Sequence, residues 1–384
     1  MTGPTPAAAF VLPDDVLYLD CAAQSPRLRA ALDAGHAALE AMAAPWRVAD
    51  GAWEERLEAL RARMAAQVFA GDVDGLAMVP SAAHGLATAA ANLPLRARDV
   101  VLLEDTPFPS SLLTWQARCA GIGARLLVAG ATGGDRSEAL LRALECHGGH
   151  TRVVVASQAH WVDGALLDVD RIAEAARAAG AALVLDLSQS AGVLPVDLAR
   201  WQPQFVVTVG YKWLLGPHGL AWLWAAPGWR DTGTAIEQHW QARDPGPGWR
   251  FAADAPTPYR PGARRFDAGG IATGPALAMA AAGLAQLEAW GTVHVERTLR
   301  TRVAELHGAL DVAGLSPWRL RQACAHFAGL RPPPDRLDVA SRALRQAEIV
   351  CTTRHGVIRI APHLHVAPTG MARVADVLAG LDSR

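Results

Sequence analysis

The chain has 384 residues, of which 51% are apolar and 19% charged, with a formal net charge of −1. That length supports one large α/β unit with a smaller domain, and a near-neutral chain without a basic, aromatic-studded stripe argues against a nucleic-acid partner. The five cysteines (Cys21, Cys119, Cys146, Cys324, Cys351) are scattered without a CxxC pair, which speaks against a disulfide framework or a zinc site and for reduced thiols in the cytoplasm.

Residues 1–12 lack a charged start followed by a long apolar run, so no signal peptide is expected. Val100-Val101-Leu102-Leu103 predicts a strand ending at an acidic, Pro-rich loop, and 125–128 a second. A helix over 137–146 precedes a strand at Val153-Val154-Val155. Asp170 is the expected N-cap of a helix over 170–179, ended by Gly180. Strands are predicted at 182–187, 205–209 and 220–225. Short, continuously apolar strands alternating with helices predict a mostly parallel sheet covered on both faces, with ligands beyond the carboxyl ends of its strands. The Ala129 to Gly134 stretch lacks dinucleotide-fingerprint spacing and is read as a turn. Residues 241–270, rich in Pro, Gly and Arg, predict a long functional loop crossing between domains. The apolar stretch 271–285 is short and Ala/Gly-rich, which predicts a buried helix and no membrane span. The C-terminal part is expected to hold a helix at 335–347 and strands at 349–351 and 356–360.

Of the 36 Lys and Arg residues, only Lys212 is lysine. Arg replaces Lys as a charge, but it cannot be deprotonated in a protein and cannot condense with an aldehyde. Chance drift toward Arg would also leave a lone lysine, so the neighbourhood has to decide. A pyridoxal phosphate site needs such an amine, an acid to protonate the pyridine nitrogen, a helix start for the phosphate, a flat side chain on the ring and a cation for the substrate carboxylate. Val184-Leu185-Asp186-Leu187-Ser188-Gln189 puts an acid at the end of a buried strand, where a protonated pyridine would compensate its desolvation. Thr208-Val209-Gly210-Tyr211-Lys212-Trp213-Leu214-Leu215-Gly216-Pro217 puts the lysine on a turn after the next strand. There, apolar surroundings disfavour its charged form and make it nucleophilic.

These motifs, with Pro195-Val196-Asp197, resemble the class V aminotransferase and cysteine desulfurase superfamily of fold-type I pyridoxal phosphate enzymes. The resemblance extends over nearly the whole chain: Tyr18-Leu19-Asp20-Cys21-Ala22-Ala23, Val79-Pro80-Ser81-Ala82-Ala83-His84-Gly85, Phe108-Pro109-Ser110 with Trp115, and Ile358-Arg359-Ile360-Ala361-Pro362-His363. It implies an N-terminal segment at 1–28 packing on the small domain, a large cofactor-binding α/β domain at 29–270 and a small α+β C-terminal domain at 271–384. It implies a homodimer acting on a small amino acid. By the same resemblance, Lys212 forms the Schiff base and shuttles protons, Asp186 pairs with the ring nitrogen, and Gln189 meets the ring hydroxyl. Ser81, Ala82, Ala83 and His84 form the phosphate-binding helix start, Phe108 stacks on the ring, and Arg359 takes the substrate carboxylate. The chain departs from the pattern at Ala83, Val209 and Gly269-Gly270, where the family commonly carries hydroxyls. Thr208, Tyr211 and Arg264 or Arg265 are the expected replacements.

Other readings compete residue by residue. Phe108 also fits a core aromatic, His84 a helix start, and Trp222, Trp224 and Trp229 ordinary packing. His363 and His365 alternate without acidic partners, so no metal is expected. Within the resemblance, transamination of a small amino acid is the preferred reaction. A carbon–sulfur lyase, a cysteine desulfurase using Cys351, or an amino-acid epimerase are the alternatives, and a non-catalytic binding module is the alternative of another class.

Overall fold

The computed structural model describes residues 6–49, 51–130, 134–271, 273–320 and 325–381. Cys324 and most of the turn expected between Ala129 and Gly134 lie outside the described residues.

A two-residue strand, β1 (Leu17–Tyr18), leads into helices α1 (Arg29–Met42) and α2 (Ala52–Val68). There follow β2 (Leu76–Val79), α3 (Ala82–Asn92), β3 (Val100–Leu103), α4 (Pro109–Ile122), β4 (Arg125–Val128), α5 (Arg136–His147) and β5 (Thr151–Ser157). The central region continues through α6 (Val169–Ala178), β6 (Ala182–Asp186), the single turn α7 (Leu198–Trp201), β7 (Phe205–Val209), β8 (Ala221–Ala225) and α8 (Pro227–Arg230). Among the described residues the main sheet has seven strands in the order β2-β8-β7-β6-β5-β3-β4. Only β8 runs antiparallel to its neighbours. Strand residues alternate between the sheet's two faces. Leu102, Val154, Leu185 and Val206 accordingly join one apolar cluster, while Val101, Val153, Val184 and Val207 join the other. Both faces are covered, as the continuous apolar strands predict.

The N-cap of α6 is Asp168, whose side chain accepts from Arg171 N, not the expected Asp170. Asp170 instead accepts from Trp201 Nε1 at 2.8 Å and pairs with Arg200 at 2.9 Å. Both acids sit near the helix start, and a partner from α7 claims the second one.

The loop before residue 270 contains two short 3-10 turns and is pinned to the sheet edge. Buried Arg61 donates to Asp267 Oδ2 at 2.7 Å, and Asp267 Oδ1 accepts from Met78 N at 2.7 Å. Helices α9 (Gly274–Trp290) and α10 (Thr292–Val312) follow, then β9 (Ala328–Leu330), α11 (Leu337–Gln346), β10 (Ile349–Val350), β11 (Thr352–Arg354), β12 (Val357–Ile360) and α12 (Pro368–Ala379). Strands β11, β12 and β9 form a small antiparallel sheet. The β11–β12 hairpin turns on His355 and Gly356, both with positive φ (50° and 75°), the conformation of a tight two-residue hairpin loop. The expected strand at 349–351 stops at Val350 as β10, and a further strand not expected from the sequence, β11, begins after Cys351. The chain's beginning is stitched to its end: β1 pairs in parallel with β10, and Asp20 bridges to Ala361. Among the described residues no helix is long and apolar enough to cross a membrane.

Candidate active site

The carboxyl ends of β3, β5, β6 and β7 converge on one side of the sheet, and a cavity of about 120 Å³ opens there. Eight of the expected residues line it: Ser81, Ala82, Ala83, Phe108, Asp186, Gln189, Tyr211 and Lys212. Lys212 follows β7 on a turn closed by Leu215 N donating to the Lys212 carbonyl, with Leu215 itself at φ 57°. Only 6% of Lys212 is exposed. Its Nζ lies 5.5 Å from the Phe108 ring centroid and 5.9 Å from that of Tyr211, with no hydrogen-bond partner among the described residues. Burial pushes its pKa down to about 8, against the opposing pull of Asp186. The amine is therefore partly uncharged near neutral pH, as a nucleophile requires.

Asp186 ends β6 in register with Ser157 of β5. Its Oδ1 accepts from Ser188 N at 2.9 Å, which leaves Oδ2 for a cation in the cavity. Gln189 is buried, with Nε2 donating to the Ala22 carbonyl at 2.8 Å and Oε1 accepting from Trp213 Nε1 at 2.9 Å. One amide N–H and one oxygen lone pair remain for a ligand.

Also at the cavity, Ser81 caps α3, its Oγ accepting from His84 N at 3.1 Å. Ala82 N and Ala83 N make no hydrogen bond among the described residues and line the cavity, as the first N–H groups of a helix do when they await an anion. Phe108 is the residue before α4. Its ring meets Trp161 edge to face at 5.3 Å and 89°, and Trp161 meets His355 of the β11–β12 hairpin at 5.4 Å and 87°.

Three expected residues do not line the cavity. The His84 ring turns to Glu237, Nδ1 to Oε1 at 3.5 Å, and its main-chain N–H is taken by Ser81. Thr208 points to the other side of β7 from Val209 and donates to the Leu187 carbonyl at 3.3 Å. Arg359 is buried behind Trp161, with Nη1 donating to the Trp161 carbonyl at 3.1 Å and Nη2 reaching Asp20 at 3.2 Å. Arg264 and Arg265 are absent from the lining too. Arg264 pairs with Glu58 and Asp74, and Arg265 donates to the Gly233 carbonyl.

The cavity also contains groups that sequence reasoning passed over. Glu104, directly after β3, is buried and accepts from Ser157 N at 3.0 Å and Ser157 Oγ at 2.9 Å. Burial pushes its carboxyl pKa up. Its signal was positional, since it holds the same strand-end place on β3 that Asp186 holds on β6. Ser188 Oγ is buried at the cavity wall without a partner among the described residues. Trp222, Trp224 and Trp229 take no part in the lining; Trp224 and Trp229 donate to Asp72 and Gln204.

Comparison with known proteins matches the family model described as aminotransferase class-V over residues 17–314. The chain belongs to the aminotransferase class-V family. It is 27% identical to an uncharacterised aminotransferase of Bacillus subtilis (strain 168) over 337 residues, covering 85% of each chain. The fold matches a cysteine desulfurase from Thermococcus onnurineus NA1 with a TM-score of 0.84 at 19% identity, over 99% of this chain and 98% of that one. It also matches a C-DES mutant with glycine covalently linked to its pyridoxal phosphate cofactor, with a TM-score of 0.84 at 22% identity, over 95% of this chain and 97% of the other. The protein is thus a fold-type I enzyme whose family depends on pyridoxal phosphate.

The residues present fit that cofactor. An unpartnered buried amine, a strand-end carboxylate with a free oxygen, two unused helix-start N–H groups and the orphaned Ser188 hydroxyl all border one cavity.

Proposed function

We propose that the enzyme transaminates a small amino acid, with Lys212 as its covalent attachment point for the cofactor and its proton carrier. The observation that carries this reading is the juxtaposition of a solitary, charge-depressed lysine and a strand-end aspartate in one cavity. When bound, pyridoxal phosphate accepts electrons from the substrate α-carbon. Asp186 would hold a proton on the ring nitrogen, Phe108 would cover the ring, and Ala82 and Ala83 amides would take the phosphate. Gln189 would meet the ring hydroxyl through its remaining N–H. The Lys212 amine, with a pKa near 8, can both accept and return a proton at the substrate α-carbon around neutral pH. Trp161 lines the cavity with Phe108, Val155 and Ala156, apolar neighbours that would leave room for a small side chain. Arg359 would receive the substrate carboxylate.

Cysteine desulfurase chemistry has less support. Cys351 is absent from the cavity lining, and burial pushes its thiol up to about 12, so little reactive thiolate exists near neutral pH.

We divide the chain as the sequence suggests: a cofactor-binding domain at 29–270 and a small domain at 271–384 joined by residues 1–28. The β1–β10 pairing supports that union of the two ends. We further propose a homodimer. Trp53, Trp240, Trp249 and Phe251 form an edge-to-face ladder at 5.4–5.6 Å. Trp240, Trp249 and Phe251 are 45%, 61% and 43% exposed, an apolar surface suited to cover by a second copy. The four described cysteines are free, in keeping with a cytoplasmic enzyme.

The test is a panel of small amino acids with pyruvate or 2-oxoglutarate as acceptor, assayed for keto acid, sulfide and enantiomer. Acceptor-dependent formation of the donor's keto acid, matched by alanine or glutamate from the acceptor, supports the proposal. Sulfide release lost in Cys351→Ala, or racemisation without keto acid, overturns it.

A further inference from the structure

Arg359 is already occupied by a carboxylate of its own chain. Asp20, just beyond β1, lies beside β12 through the Asp20–Ala361 bridge. Only 3% of Arg359 and 6% of Asp20 are exposed. Arg359 Nη2 donates to Asp20 Oδ1 at 3.2 Å and to Thr352 Oγ1 at 2.5 Å. Nε donates to the same Thr352 oxygen at 3.1 Å, Nη1 donates to the Trp161 carbonyl at 3.1 Å, and Thr352 Oγ1 donates to Asp20 Oδ1 at 2.8 Å. No adjacent pair of guanidinium N–H groups is left to receive a substrate carboxylate as a fork. Trp161, whose carbonyl Arg359 holds, lines the cavity. The guanidinium therefore stands one residue behind the wall.

Two carboxylates on one buried arginine leave a surplus negative charge out of water, which is costly. An incoming carboxylate must therefore take the place of the resident one. Resting on the proposal that Arg359 receives the substrate carboxylate, we propose that Asp20 is a specificity-determining residue: an internal carboxylate seated on Arg359 that the substrate's carboxylate displaces. The site then accepts amino acids whose carboxylate exchanges with Asp20, and it holds them more weakly than an unguarded arginine would.

The test uses the cofactor-loaded enzyme and compares glycine and alanine with methylamine and ethylamine, reading binding from the change in cofactor absorbance. In Asp20→Asn the dissociation constants of the amino acids fall by about ten- to a hundredfold, the worth of a charge-assisted hydrogen bond. Those of the amines stay within about twofold, since they do not meet Arg359. Asp20→Ser carries the same expectation should the first variant fold poorly. A second readout needs no cofactor. Asp20→Asn leaves Arg359 without its counter-ion, so the cofactor-free variant melts lower than wild type, and acetate raises its Tm more than that of wild type. Unchanged or weakened amino-acid binding in both variants, or equal shifts for amino acids and amines, overturns the role of Asp20. Arg359→Lys separates the two readings. A lower ratio of amino-acid to amine affinity supports Arg359 as the carboxylate site, whereas an unchanged ratio removes that site and the guard with it.

Discussion

The two charged centres of this enzyme are built in opposite ways. Around Lys212 the polar groups are left open: an amine without a hydrogen bond, one free Asp186 oxygen, and unused N–H groups at the start of α3. Around Arg359 they are closed on one another, with Asp20, Thr352 and the Trp161 carbonyl taking four of the guanidinium's five N–H donors. The open centre costs folding energy and awaits a cofactor. The closed one contributes rigidity and must be opened by whatever binds there. A buried charge can thus be prepared for a ligand either by leaving it unpaired with a lowered charge, or by lending it a replaceable partner.

The largest expected effect is at the open centre. Lys212→Met lowers turnover by at least about a thousandfold, since attachment and proton transfer are lost together; steady-state rates at saturating cofactor check this. A rate within tenfold of wild type would mean the open centre is not where chemistry happens. Next comes the closed centre. Arg359→Gln strands Asp20 without its counter-ion and destabilises the protein by about 3–5 kcal/mol, measured by denaturant unfolding. A loss below about 1 kcal/mol would show the cluster to be no more than a surface-like pair.

Lys212 should also show its cost directly in the cofactor-free protein. The unfolded chain keeps the lysine proton up to the ordinary 10.5, and the folded chain only up to about 8. Between these values the unfolded state binds more protons, so stability rises with pH across that window, and the full cost is present below it. The shift corresponds to a cost on the order of 3 kcal/mol. Cofactor-free Lys212→Met should be more stable than wild type near neutral pH, and the gap should close as pH passes through the window. Unfolding curves at several pH values test this, and a gap independent of pH would contradict an unpaired, buried amine. The smallest effect belongs to Cys351→Ser. Outside the cavity lining, and with its thiol pushed up to about 12 so that little thiolate is present near neutral pH, it should leave turnover within about twofold of wild type.

Much of the open centre was legible in the sequence, because each of its parts is local. Asp186 ends an apolar strand, Lys212 follows another, and Ser81 precedes a helix, so strand-end position alone put them on one side of a parallel sheet. Glu104 obeyed the same rule and was missed only because no chemical role called for it. The closed centre was not legible. Asp20 and Arg359 are brought together by pairing of the chain's beginning with its end, and no local pattern records that a catalytic-looking arginine already has a partner. Thr208 and His84 stand outside the cavity lining for a finer reason. Strand alternation turns Thr208 away from the face that Val209 lines, and Glu237, distant in sequence, draws the His84 ring aside.

The most direct test exploits the solitary lysine. Purified protein saturated with pyridoxal phosphate is reduced with borohydride, digested and mapped by mass spectrometry. A stoichiometric cofactor adduct is expected on the peptide containing Lys212, accompanied by a visible band before reduction that Lys212→Ala abolishes. An adduct found only at the amino terminus, or a visible band that survives the substitution, would contradict it.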